Sequence, residues 1–194
     1  ADAYRAKAEA FRQAIESAPT EAQLLRDELR KLPTPEQAAL ADQTDFDTAE
    51  EVQRELAAKV ATRESLANEL KAVNAELTSL REERPAATSE RIPQAEVELA
   101  RTDKELQAPD MAKEATSPGR LADQRVLMAR QARLRAEIEM LRQERLSFSA
   151  RDELLTEKSA LLTRKVANLS GEIATLSEIE QRLLRSDAEQ VGSL

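Results

Sequence analysis

Histidine and cysteine are both absent from this chain, so any chemistry has to come from carboxylates, guanidiniums and hydroxyls. Asp42, Asp45 and Asp47 stand close together. A calcium loop alternates oxygen ligands, turns sharply at a glycine and closes with a bidentate glutamate. The spacing here is wrong and the glycine is missing, so the three read as acids favoured by a helix N-terminus. Glu50-Glu51 and Glu82-Glu83 form carboxylate pairs in sequence only. Adjacent helical positions diverge by about 100° because a turn takes ~3.6 residues, whereas glycosidase-type chemistry needs two carboxyls facing across a cleft. Both pairs read as solvated faces. Arg125, Arg130, Arg133, Arg135, Arg142 and Arg145 make the one basic concentration. It suits either a phosphate or acidic-lipid contact or a flank pairing with acidic helices of the same chain, and we read it as the flank. Without a His base, a thiol, a Gly-rich loop or an aromatic pocket, no enzyme is expected. No catalytic, cofactor-binding or metal residue is assigned.

The elements that would carry these side chains are helices. Only 2% of the 194 residues are aromatic, 34% are charged, and glycine is reduced to 3. Such a mixture belongs to long helices and coiled coils. The formal charge of −8 repels nucleic acid, and no basic cluster interleaved with aromatics offsets it. No stretch approaches the ~18 apolar residues of a membrane span. The chain opens Ala1-Asp2-Ala3 without a signal peptide, as a processed start or a piece of a longer protein would.

Apolar residues follow a 4-3 rhythm from Tyr4 through Ala8, Phe11, Ile15, Ala18, Ala22, Leu25 and Leu29 to Leu32. The rhythm passes through Pro19, which predicts one helix kinked there. Pro33-Thr34-Pro35 ends it. Thr34 should cap a short turn, with Pro35 in the first helical position and Gln37 reciprocating the cap. A second helix is expected to start between Thr44 and Asp47 and run to Glu83, along Val52, Leu56, Lys59, Arg63, Leu66, Leu70, Val73, Leu77 and Leu80. The charged heads of Lys59 and Arg63 should turn outward. After a break at 84–89, a shorter helix carries Ile92, Ala95, Leu99, Thr102 and Leu106, with Pro93 confined to its first turn. A flexible corner follows at 107–117, and Ser117 should cap the next helix.

From there the seam is leucine at sevens. Leu127, Leu134, Leu141 and Phe148 lie before Ser147-Phe148-Ser149-Ala150, and Leu155, Leu162, Leu169, Leu176 and Leu183 lie after it. A seven-residue repeat marks packing along another helix. Ser149 to Asp152 resembles a capping box, so the expectation is a break there and an antiparallel hairpin over 118–194. The fold class expected is all-α: an elongated bundle of heptad-patterned helices, with N-terminal helices over 1–117 and the hairpin at the C-terminus. Seven arginines against four acids between Pro118 and Ser147, and nine acids against five bases between Asp47 and Glu83, suggest that these two stretches lie side by side. Gly171 reads as a tolerated glycine costing ~1 kcal/mol, with close helix approach or a hinge as the other readings.

Three stretches resemble a known family. They are Ala3 to Leu32, Arg84 to Leu106 with its Glu-Arg-Ile-Pro-Gln-Ala-Glu run, and Leu127 to Leu183, where the turn-like RLSFSARDELL leads into the last leucines. They are similar to the periplasmic N-terminal helical (porin-like) domain of large MscS/KefA-type bacterial mechanosensitive channels. The resemblance implies a fragment of an inner-membrane protein whose pore helices lie elsewhere in the polypeptide, so no pore or gating residue is carried over. It also implies a parent that opens under tension and releases ions and solutes in osmotic downshock, assembled as a homo-oligomer, by resemblance a heptamer. The expected partner is the rest of the same polypeptide, with membrane contact only through segments absent from these residues. The competing expectation is a free-standing coiled-coil scaffold, tether or periplasmic adaptor.

Overall fold

A computed structural model describes residues 1–41, 46, 48–82, 85–108 and 118–192. Among them the structure is all-α: α1 (Asp2–Lys31), α2 (Pro35–Ala41), α3 (Ala49–Glu82), α4 (Pro85–Gln107) and α5 (Pro118–Gly192). The chain divides into two compact units. One holds Ala1–Thr20 and Ser79–Glu153, the other Glu21–Thr78 and Leu154–Leu194.

The predicted hairpin is not there. α5 runs for 75 residues without a turn at Ser147–Ala150. Three of the residues that signalled a break have other surroundings. Ser147 is fully buried and donates its hydroxyl to the Glu144 carbonyl at 2.9 Å, a bond helices tolerate. Phe148 is half-buried. Asp152, in place of capping Ser149, accepts from Nε and Nη2 of Arg81 at 2.6 and 3.3 Å. That two-pronged bond across helices is geometrically more specific than a cap.

The local signal at Thr34 holds to the residue. Leu32 precedes a proline and so leaves the helical region. Thr34 Oγ1 accepts from the Gln37 amide while Gln37 Oε1 accepts from the Thr34 amide, the expected reciprocal box. α3 starts later than expected, at Ala49, with Thr48 Oγ1 accepting from the Glu51 amide. Thr48-Ala49-Glu50-Glu51 has capping-box spacing, a signal that the reading at 44–47 passed over. Glu50 and Glu51 then sit in the first turn, where the backbone dipole favours them. Pro93 also corrects an expectation. α4 begins at Pro85 and continues through Pro93, and the carbonyl deprived of a donor belongs to Ser89, an exposed residue. α1 likewise continues through Pro19, one residue before the unit boundary. Asp42, Asp45, Asp47, Glu83, the corner at 109–117 and the cap at Ser117 lie outside the described residues.

In the first unit, Ala8, Ile92, Met140 and Leu141 form a core backed by Tyr4 and Phe11. Ala95, Leu134 and Ile138 form a second, backed by Leu99. The Arg151 guanidinium lies 5.3 Å from the Phe11 ring centre. α4 runs antiparallel to α5, since Arg91 bonds Glu137 while Gln131 bonds Asp103. In the second unit Ala22, Ala38, Val52, Val73, Leu155, Leu161, Leu162 and Leu176 are buried. There α1 is parallel to α5, pairing Arg26 with Glu157 and Glu28 with Lys165. α3 is antiparallel, pairing Lys59 with Glu172 and Glu69 with Lys158.

Candidate functional site

The seam residues define what α5 offers its neighbours. Leu134, Leu141, Leu155, Leu162 and Leu176 are buried; Leu127, Phe148, Leu169 and Leu183 are half-buried. None is exposed. On α3, Val52, Val73 and Leu80 are buried and Leu56, Leu66, Leu70 and Leu77 half-buried, while most residues between them are exposed. On α3 a single stripe is covered, as expected where leucine and alanine rather than aromatics fill the contact; α5 is covered more widely, with Ala136, Ile138 and Met140 buried beside its seam.

Narrow apolar stripes leave room for ion pairs along their edges. In the first unit Arg12 meets Glu139 at 2.6 Å, Arg142 meets Glu96 at 2.7 Å, and Arg91 bridges Glu137 at 2.8 Å and Glu98 at 2.9 Å. In the second, Lys59 Nζ lies 2.8 Å from Glu172, and the two side chains are only 17% and 19% exposed. The Lys59 head therefore does not turn to water as expected; it reaches across to α5, because a charge this deep needs its partner. The arginine-rich stretch of α5 pairs with α4, through Glu96, Glu98 and Glu137-bound Arg91, rather than with the acids of α3. The expected charge sorting named the wrong neighbour. A turn at 147–150 would have laid this stretch elsewhere; the unbroken α5 sets it beside α4, which also carries more acids than bases.

These bonds shift two carboxylates. The Arg12 hydrogen bond, helped by Gln143, holds Glu139 below the usual carboxylate value, and the Arg91 hydrogen bond does the same for Glu98. A carboxyl whose folded value is lowered stabilises the fold at pH above its unfolded value of about 4.3. That contribution is lost as pH falls through the folded value. Glu139→Gln should therefore lower the urea midpoint at pH 7 and make no difference well below pH ~4. An equal gap at both pH values would refute the assignment.

The second feature is a notch in α5. Gly171 is not merely tolerated. A Cβ there would stand 3.2 Å from the Pro35 carbonyl oxygen and 3.5 Å from Ala39 Cβ, so the glycine lets α2 lie directly on α5. Asn168, a turn away and buried, donates Nδ2 to the Pro33 carbonyl at 3.1 Å. Arg164 reaches the same oxygen at 3.5 Å, and Thr175 donates to the Ala39 carbonyl at 3.4 Å. The break between α1 and α2 thus finds its hydrogen-bond partners on α5. Neither Asn168 nor Thr175 was picked out from sequence. The available signal was the line Leu154, Leu161, Asn168, Thr175, where leucine at sevens turns polar.

Gly171→Val should force α2 off its seat, since crowding of this kind costs roughly 1–3 kcal/mol. Gly171→Ala should come out near neutral, its contact offset by ~1 kcal/mol of helix propensity. Proteolysis between 33 and 48 is the readout, and a Val variant as resistant as the parent chain would contradict the notch.

Among the described residues no helix is long and apolar enough to cross a membrane, and no group of three or more acids is placed to hold a metal ion. All-helical units, seams of leucine at sevens and ion-paired edges define a helix-packing domain. The family model described as the mechanosensitive ion channel porin domain matches residues 1–192, and the chain belongs to that family. No curated protein and no solved structure matches it.

Proposed function

We propose that this chain is the periplasmic helical domain of a KefA-type channel subunit in a bacterial inner membrane. There it braces or modulates tension-gated efflux of ions and solutes during osmotic downshock. The family match over residues 1–192 is the observation that carries this reading. The packing supports it. A helical domain can act through stiffness and contacts, and here cross-helix ion pairs tie α1, the end of α3 and α4 to α5 in the first unit, and α1 and α3 to it in the second. Its partner is the remainder of the same polypeptide, in a homo-oligomer that the family resemblance makes a heptamer. The acidic surface, at −8 overall, raises local cation concentration within a Debye length of ~8 Å at physiological salt.

The test is a parent channel from which residues 1–192 are deleted, recorded by patch clamp under graded suction at low and high salt. A shifted opening threshold, or one that loses its salt dependence, is the expected result, with a matching change in survival of osmotic downshock. Unchanged threshold, salt response and survival would refute a gating role.

A further inference from the structure

In the first unit, Arg5, Arg12 and Arg135 rim a groove of about 360 Å³ between α1 and α5, whose floor is the methyl groups of Ala8, Ala132 and Ala136. We propose that this groove binds a phosphate monoester, with the guanidiniums of Arg5 and Arg135 taking the phosphoryl oxygens and the alanine floor taking the body of the molecule. The volume falls within the range of small-ligand sites. Charge points to a dianion. Of the groove's three arginines, Arg12 is engaged by Glu139 at 2.6 Å and by Glu9 at 3.3 Å. Glu139, the acid in the lining, is in turn held by Arg12 and Gln143, so its charge is already answered.

Two positive charges remain. Arg135 is exposed and makes no ion pair among the described residues. Arg5 meets only Asp2, at 3.3 Å on the open surface with side chains 67% and 97% exposed, a contact of the kind that contributes little and exchanges readily. Planar forks of N–H donors suit phosphoryl oxygens better than a point charge would. Two other arginines of this stretch, Arg130 and Arg142, face acids of α4 instead of the groove. This gives Arg135, whose guanidinium no acid among the described residues answers, a partner at the groove, and it is independent of the gating role.

The 194-residue chain is titrated by calorimetry at constant ionic strength with inorganic phosphate and with glucose 6-phosphate, and by flotation with vesicles containing phosphatidic acid. The paired variant Arg5→Gln/Arg135→Gln removes the rim without touching the core. Arg125→Gln/Arg145→Gln removes the same charge from exposed positions of α5 outside the groove. Saturable one-to-one binding of glucose 6-phosphate, weakened at least tenfold by the first pair and less than twofold by the second, supports a soluble ligand. The same pattern seen only with vesicles supports the phosphate of a lipid headgroup. Absence of saturable binding to all three probes, or equal weakening by both pairs, overturns the proposal.

Discussion

Ser149→Pro is expected to destabilise the first unit by about 3 kcal/mol or more, the cost of proline in a helix interior. The substitution isolates the backbone. Ser149 is exposed and its side chain makes no hydrogen bond among the described residues, so only an amide donor and the space of the preceding turn are lost. In a hairpin, position 149 would be a cap outside the hydrogen-bonded helix, where proline breaks no helical bond. The two architectures therefore give different results: about 3 kcal/mol or more for a continuous α5, and only the ~1 kcal/mol of a lost cap for a turn. Ser149→Ala should be neutral or slightly stabilising in a continuous helix, and should cost about 1 kcal/mol if the residue capped one. α1 and α4 show that the chain can carry a helical proline, at Pro19 and Pro93, so partial loss of stability rather than collapse is expected. Urea denaturation followed by circular dichroism, with hydrogen exchange to locate the loss, decides it. A midpoint within error of the parent chain's would refute the continuous helix.

Leu176→Ala should cost about 2–5 kcal/mol, and Leu134→Ala a similar amount. Both side chains are wholly enclosed, and truncation removes buried methyl groups while leaving a cavity that surrounding helices fill only in part. Leu134 packs with Ala95 and Ile138, small or rigid residues that cannot swing into the space. The half-buried members of the same line give the contrast. Leu183 is already reached by water, so Leu183→Ala should cost no more than ~1 kcal/mol for its smaller buried area. Hydrogen exchange should show Leu134→Ala loosening the first unit and Leu176→Ala the second. Equal losses at positions 134, 176 and 183 would mean that the seam does not distinguish its members by burial.

The fold class was legible because composition and seven-residue spacing both depend on local geometry. The cap at Thr34 was legible for the same reason, being complete within four residues. The hairpin was misread because Ser147, Phe148 and Ser149 were weighed as local signals, while the leucine numbering carried the longer-range answer. Phe148 to Leu155 is itself a step of seven. Nine positions from Leu127 to Leu183 thus share one phase, and a turn has no reason to preserve phase. Asp152 misled because a carboxylate three residues after a serine looks like a cap until Arg81, 71 positions away, is known to hold it. The notch at Asn168, Gly171 and Thr175 depends on where the α1–α2 break docks. That is a tertiary fact, visible beforehand only as two polar residues interrupting a line of leucines. Lys59 was misplaced likewise, since its partner Glu172 is 113 residues distant.

A helix with one phase from Leu127 to Leu183 has no tolerance for changes in length. A single residue inserted after Leu155, within the second unit, would rotate the later seam positions by about 100°, turning Leu162 and Leu176 to water and charged residues inward. Inserting a whole heptad would keep the phase but slide each later leucine past its opposite number on α3. Substitution on the outer face and extension in the connections between helices remain permissible. Across natural variants of this domain, gaps should fall in those connections, and α5 should be counted out to the same length each time.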